Sequence, residues 1–333
     1  MPELRKDPII GRWVIISTER GHRPSDFVDV TNQKTGGFCP FCYGNEDKTP
    51  PEIFALRPDK SQPNRPGWTL RVVSNKYPAL RIEGQLNRQG DGMYDKMNGV
   101  GAHEVIIETP EHFKDLADMD AAAITEVLQV FRSRIFDLKK DVRLKYCLVF
   151  KNHGMSAGAS LEHTHSQLIA TPIIPKAVLE ELHGAESYFK FKERCIFCDI
   201  IRQELKDDIR VVFEEEHFIA VEPYAPRFPF ETWILPKQHH SHYEDLNDTE
   251  LQHLSITLKD VLGRINTALN YPPYNFVIHT SPMQEKSMEY YHWHIEFMPK
   301  LTRVAGFEWG SGFFINPTSP EDAAQYLKKI NLG

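Results

Sequence analysis

The 333 residues contain no apolar run near the ~20 residues a membrane span requires, and no charged-then-apolar leader at the start. A cytoplasmic protein is the expectation. Excess positive charge is also missing: 39 Lys and Arg face 46 Asp and Glu, a net charge of −7. Nucleic-acid backbones reward clustered cations, so this balance argues against nonspecific grip on DNA or RNA. Cysteine is scarce and odd in number, five in all, and four of the five form two tight pairs, Cys39/Cys42 and Cys195/Cys198. In a reducing compartment C-x-x-C holds metal or does redox work more often than it forms a structural disulfide. Cys147, alone in the apolar KYCLVF, reads as a small buried hydrophobe. What remains is a folded composition, 41% hydrophobic and 26% charged, long enough for two ordinary domains or one large one.

The chain repeats itself. GFCPFC (37–42) returns as ERCIFC (193–198), and HEVIIETPEHFKDL (103–116) returns more loosely as ETWILPKQHHSHYEDL (231–246). An amphipathic helical pattern follows each, over 120–140 and 248–269, with apolar residues at three- and four-residue spacing. A strand comes next, KYCLVFKNHG (145–154) and PYNFVIHTSP (273–282), and each half closes on H-x-H, HTHSQLIA (163–170) and HWHIEFMP (292–299). Strands adjacent in sequence with few helices between them predict an α+β fold: a duplicated unit, two antiparallel sheets with packed helices. The proline-containing TPIIPKAV (171–178) marks the boundary, giving halves 1–175 and 176–333.

Zinc takes four ligands in a tetrahedron, from thiolate sulfur and imidazole nitrogen. Each C-x-x-C supplies two, so each half must find two histidines. The first half offers His103, His112, His153, His163 and His165; with His165 reserved for chemistry, His163 and His103 are the natural remainder. The second offers His239, His240 or His242, with His292 or His294. A closed four-ligand site leaves no open position for water, so the expected zinc is structural. It would pin the C-x-x-C loop to the H-x-H strand, fixing His163 and, two residues on, His165. The alternative is free buried thiols with satisfied core histidines.

His163, His165 and Gln167 alternate along a strand and so share a face, where a core would want valine. Imidazole is largely unprotonated at neutral pH, attacks phosphorus and leaves again, which suits a two-step transfer. Gly154, Gly158 and Ser160 precede it as a cradle of close backbone approach plus a hydroxyl donor. Gln167 can hydrogen-bond a phosphoryl oxygen but cannot serve as an acid. Arg20 and Arg23 in RGHRP read either as guanidinium groups for a diphosphate or as a solvated turn. The second H-x-H has Glu296 where the first has Gln167, and no G-x-x-x-G-x-S before it. An anion there repels phosphate, so chemistry is assigned to the first half only.

LRKDPIIGRWVIIS…RGHRP, CPFC, SNKYPAL, GAHEVIIETPEH, FKNHG, HTHSQ and HWHIEFMPKL together resemble the galactose-1-phosphate uridylyltransferase family of the histidine-triad superfamily, over nearly the whole length. The resemblance implies ping-pong nucleotidyl transfer through a covalent nucleotidyl-histidine at His165. Gln167 and Ser160 match the phosphoryl-contacting residues, and Arg20, Arg23, Asn75 and Asn152 match nucleotide or phosphate ligands. Cys39, Cys42, His103 and His163 are assigned to a first zinc site, and Cys195, Cys198, His239 and His292 to a second. It also implies a homodimer with its active site near the interface. LEHTHSQ lacks the prolines usual around the family's nucleophile, and GFEWGSGFFINP (306–317) keeps only Phe307 and Gly310 of its sugar-contacting segment. Both stretches are more similar to the plant ADP-glucose phosphorylase branch.

The leading expectation is therefore a nucleotidylyltransferase acting on a nucleoside-diphosphate sugar such as UDP-glucose, with a hexose 1-phosphate as acceptor. An adenylyl-transferring phosphorylase using inorganic phosphate is the alternative. A hydrolase of dinucleotides is disfavoured by Gln167, and a zinc-stabilised binding module would leave the glycine–serine–histidine cradle without purpose.

Overall fold

The computed structural model describes residues 1–20 and 36–332. Its first half runs β1 (Glu3–Lys6), β2 (Trp13–Ile16), β3 (Glu52–Leu56), β4 (Leu70–Ser74), the hairpin β5 (Gln89–Asp91) and β6 (Tyr94–Lys96), β7 (Ala102–Ile107), α1 (Ala121–Leu138), β8 (Tyr146–His153) and β9 (His165–Thr171). There follow α2 (Lys176–Lys192), α3 (Ile196–Asp207), β10 (Val211–Glu214), β11 (Phe218–Val221), β12 (Thr232–Pro236), α4 (Asp248–Leu269), β13 (Tyr274–His279), β14 (His294–Pro299), α5 (Gly306–Ser311), β15 (Phe314–Asn316) and α6 (Pro320–Lys328).

The two expected antiparallel sheets are both present, and they are joined edge to edge. The order β10-β11-β12-β14-β13-β8-β9-β7-β4-β3 makes one ten-stranded sheet in which the second half's five strands meet the first half's five at β13·β8. These are equivalent strands of the repeat, paired antiparallel from Tyr274↔His153 to Ile278↔Val149, as a pseudo-two-fold axis between halves requires. β1, β2 and β15 form a separate small sheet in which β15 runs parallel to β2.

Alternation along the strands decides which side chains see helices. On β9, Ser166, Leu168 and Ala170 face one way; on β7, Ala102, Glu104, Ile106 and, just past its end, Glu108 do the same. Leu168, Ala170, Ala102 and Ile106 pack with buried Val127, Phe131 and Ile135 of α1 and with Leu254, Leu258 and Ile265 of α4. Asp120 caps α1 by accepting the Ala123 N–H at 2.8 Å, and a reciprocal Asn247–Glu250 capping box starts α4. The opposite face of β7 and β9 carries His103, Val105, His165 and Gln167. Val105 and Ile107 there pack under Cys39, Phe41 and Trp68, so the C-x-x-C loop roofs this face.

Among the described residues, no helix is long and apolar enough to cross a membrane.

Candidate active site

His165 opens β9 and is buried, 6% exposed. Its Nδ1 lies 2.8 Å from the His163 carbonyl oxygen. A carbonyl only accepts, so Nδ1 carries the proton and the lone pair is on Nε2. Burial lowers the ring's pKa from its usual value, which keeps it neutral and nucleophilic at pH 7. The edge of Phe41 packs on the ring with centroids 5.3 Å apart.

Beneath the strand, Lys151 of β8 is fully buried. Its Nζ donates to Glu108 Oε2 (2.7 Å), Thr164 Oγ1 (2.8 Å) and the His165 carbonyl oxygen (3.0 Å). Thr164 and Ser166 hydroxyls also donate to Glu108, at 2.6 and 2.5 Å. Burial would raise this carboxyl, but the charge and hydrogen bond of Lys151, with the two hydroxyls, hold it below the usual value. The Lys151–Glu108 pair therefore clamps the chain on both sides of His165 from the helix-covered face.

The opposite face opens into a cavity of about 430 Å³ lined by His165, Gln167, Ser160, Asn75, Lys76 and Tyr77, with Phe38, Phe41, Val73, Val105 and Leu161 as apolar wall. Lys48 lines it as well, and among the described residues no carboxylate does. The two lysines and Tyr77 were not singled out from the sequence; the lysine beside Asn75 in SNKYP was the available signal. Asn152 and Gly158 adjoin this cavity rather than line it. Asn275 of β13 donates to Asn152 Oδ1 (2.7 Å) and to the Ala157 carbonyl (2.8 Å), holding the loop that leads to Ser160. Gly158 turns that loop at φ +89°, and a Cβ there would meet Asn152 Nδ2 at 3.6 Å. Arg23 and the side chain of Arg20 lie outside the described residues. Phe307 and Gly310 sit on the exposed α5 and line no part of the cavity.

Cys39, Cys42, His112 and His163 converge with one ligand atom each within 4.8 Å of the others, and so do Cys195, Cys198, His239 and His292. The second set is the one expected. The first corrects it: His112, not His103, is the fourth member. β7 and β9 run antiparallel with Ile107 opposite His165, so the next pairing places Thr109 beside His163. His103 is six residues back along that strand, about 20 Å at ~3.3 Å per residue. His112 lies only three residues past Thr109, where the chain turns back, with Nδ1 3.2 Å from Cys42 Sγ.

Both sets fit zinc by donor chemistry. His163 Nε2 donates to the Thr109 carbonyl (2.7 Å), His292 Nε2 to Pro236 (2.9 Å) and His239 Nε2 to Met288 (3.0 Å). Each ring thereby directs the Nδ1 lone pair at the thiols, as second-layer carbonyls do in metal sites. The Nδ1–Sγ separations of 3.4–3.7 Å at these three rings match the edge of ~3.5 Å that Zn–S and Zn–N bonds of about 2.3 and 2.1 Å imply.

The second half's counterpart of the active site is sealed. His294, where the first half has His165, is 1% exposed and lies between Trp233 and Phe197, with ring centroids 5.2 and 5.1 Å away. Glu296 replaces Gln167 and is bound by Arg227. Burial would raise Glu296, yet Arg227, His279 and His294 bring it down to about 2. Glu181, half-buried, and the buried His279 and His294 form a further group of ligand-bearing side chains; of these only His294 stood among the candidate ligands in the sequence.

An unprotonated buried imidazole at the mouth of an amide- and lysine-lined cavity, in one half of a duplicated α+β sheet, is the equipment of a nucleotidyltransferase. Models of the galactose-1-phosphate uridyl transferase N-terminal and C-terminal domains match residues 1–175 and 181–319, and the chain belongs to that family. It is 41% identical to ADP-glucose phosphorylase of Arabidopsis thaliana, covering 99% of this chain and 93% of the relative. It is 30% identical to galactose-1-phosphate uridylyltransferase of Thermotoga maritima, covering 100% and 99%. The crystal structure of the Arabidopsis ADP-glucose phosphorylase with bound ADP-glucose superposes over both whole chains with a TM-score of 0.85 at 39% identity.

Proposed function

We propose that the chain transfers a nucleoside monophosphate from a nucleoside-diphosphate sugar to a phosphate acceptor through His165, with ADP-glucose and inorganic phosphate as the natural pair. His165 Nε2 attacks the α-phosphorus; the bond to the bridging oxygen breaks, and hexose 1-phosphate leaves with that electron pair. The doubly substituted ring is then a cation, stabilised by its Nδ1–H bond to the His163 carbonyl. An acceptor phosphate oxygen attacks the same phosphorus, and the P–N electron pair returns to Nε2. Ser160, Asn75 and Gln167 donate to the phosphoryl oxygens while Lys48 and Lys76 balance the diphosphate charge. Arg20, Arg23, Asn152 and Gly158 belong to the same reading as phosphate contacts. Zinc at both Cys/His sets would hold the roof of the site and the matching loop of the second half without touching substrate.

The observation that carries this is the orientation of His165, with Nδ1–H spent on a backbone carbonyl and Nε2 left for phosphorus. Adenosine and phosphate are favoured by the Arabidopsis relative; uridylyl transfer from UDP-glucose to a hexose 1-phosphate is the second reading, favoured by the Thermotoga relative. The domain boundary near 175 and a homodimer complete the proposal. Phe307 and Trp309 are 49% and 80% exposed on α5, outside the cavity lining, and in the proposed homodimer they would be free to reach the partner's site.

Incubation with α-phosphate-labelled ADP-glucose or UDP-glucose is expected to leave acid-labile label on His165 of denatured protein, and none on His165→Gly. Consumption of substrate without such label would refute covalent transfer. The ratio of phosphate to hexose 1-phosphate as acceptor separates the two readings, and release to water alone would make the chain a hydrolase.

A further inference from the structure

His103 lies outside both Cys/His groups, and its surroundings give it another role. It stands on β7 on the cavity face, and three polar groups meet its ring. The Ala79 N–H lies 3.1 Å from Nδ1, Gln167 Oε1 lies 2.9 Å from Nε2, and Asn75 Nδ2 lies 3.1 Å from the same Nε2. A backbone N–H can only donate, so Nδ1 must hold a lone pair. A ring that also accepted at Nε2 would be an imidazolate, which does not form beside neutral amides at pH 7. Nε2 therefore carries the hydrogen and donates it to Gln167 Oε1.

The consequence falls on the two amides. Gln167 has its oxygen engaged and must turn its NH₂ the other way, into the cavity beside His165. Asn75 has its own oxygen fixed by the Tyr77 N–H at 2.9 Å and cannot give its hydrogens to a protonated Nε2, so they too are left for the cavity. One backbone N–H thus sets one tautomer, and that tautomer turns the NH₂ groups of Gln167 and Asn75 toward the cavity while each amide oxygen already accepts a hydrogen bond elsewhere.

We propose that His103 is a positioning residue that locks Gln167 as a donor to the transferring phosphoryl group and thereby biases the nucleotidyl-histidine toward phosphate and away from water. This rests on the nucleotidyl-transfer reading above. A phosphoryl oxygen needs donors. An attacking water needs an acceptor to orient it, and the Gln167 oxygen is turned toward His103 with its NH₂ on the His165 side. Release of that oxygen would let the amide flip and offer it to water, while withdrawing the donor from the phosphoryl group.

The test uses the full-length, metal-loaded chain with α-labelled ADP-glucose, His103→Leu to remove the donor and His103→Gln to restore one. At saturating substrate, His103→Leu should slow nucleotidyl-enzyme formation about 10- to 100-fold, below the 10²–10³ of deleting an oxyanion donor outright. KM should stay within about 3-fold, since ground-state binding is little touched. The fraction of isolated nucleotidyl-enzyme lost to water rather than to phosphate should rise, and His103→Gln should recover most of both effects. Because His103 acts through Gln167, His103→Leu on a Gln167→Leu background should add little. An unchanged rate and partition in His103→Leu, or an equal loss on the Gln167→Leu background, overturns the inference. If His103→Leu fails to fold, His103→Gln against Gln167→Leu supplies the same comparison: matching partition to water in the two would overturn it. Wild-type protein that takes no label at all would refute the transfer reading instead.

Discussion

A strand histidine's role depends on which residue stands across from it, and HTHSQ illustrates how far spacing alone reaches. H-x-H two residues apart was enough to put His165 and Gln167 on one face, and they do share the cavity. His163 falls just before β9, close enough to keep to the same side of the sheet while its Nδ1 turns to the cysteines. Choosing between His103 and His112 needed the β7–β9 register, a non-local property that no periodicity along β7 contains. The two histidines separate experimentally at this scale. His112→Ala should lower bound zinc by about one equivalent per chain and destabilise the roof of the cavity, because a structural zinc binds through all four ligands. His103→Ala should keep the full complement. Metal analysis after gel filtration checks both, and loss of an equivalent from His103→Ala would restore the ligand set expected from the sequence.

At the scale of elements, helical periodicity was legible to within a residue or two: 120–140 was expected and α1 spans Ala121–Leu138, while 248–269 was expected and α4 spans Asp248–Leu269. A strand's two faces were less so, because β9 has polar groups on both. His165 and Gln167 face the cavity, and Ser166 faces the other way, where it donates to the buried Glu108 paired with Lys151. Lys151 in FKNHG carried no sequence signal beyond its charge in an apolar run, since its partners lie on β7 and β9. Lys151→Met leaves the Glu108 charge buried with only hydroxyl donors, and should destabilise by about 3–5 kcal/mol. Glu108→Gln with Lys151→Met removes both charges and should recover much of that loss. The sign with pH follows from the lowered carboxyl: its contribution is full above 4.5 and is lost as pH falls through the native value. Urea denaturation of the single and double variants at pH 7 and near pH 4 measures this. A double variant as unstable as Lys151→Met would mean the pair acts through packing and not through charge.

Across the whole molecule, the duplication was visible in the order of motifs, but the way the halves join was not. Two sheets on helices would satisfy the same patterns whether they stood apart or fused, because pairing between β8 and β13 joins residues more than a hundred positions apart. Fusion gives the second half a task despite its sealed counterpart site: Asn275 reaches across the seam to hold Asn152 and the Ala157 carbonyl beside the Ser160 loop. α1 and α4 share one apolar cluster, and polar contacts cross it, Thr125 Oγ1 to Ser255 Oγ at 2.9 Å and Tyr243 OH to the Leu128 carbonyl at 2.9 Å. Residues 1–175 expressed alone would therefore expose the apolar flank of α1 and the unpaired edge of β8, a template for aggregation. The expected outcome is that this fragment is insoluble or takes no label on His165, and that co-expression with 176–333 restores a soluble, labelled complex. A monomeric, folded 1–175 that forms nucleotidyl-histidine at the intact chain's rate would show instead that the first half is self-sufficient and the seam is dispensable.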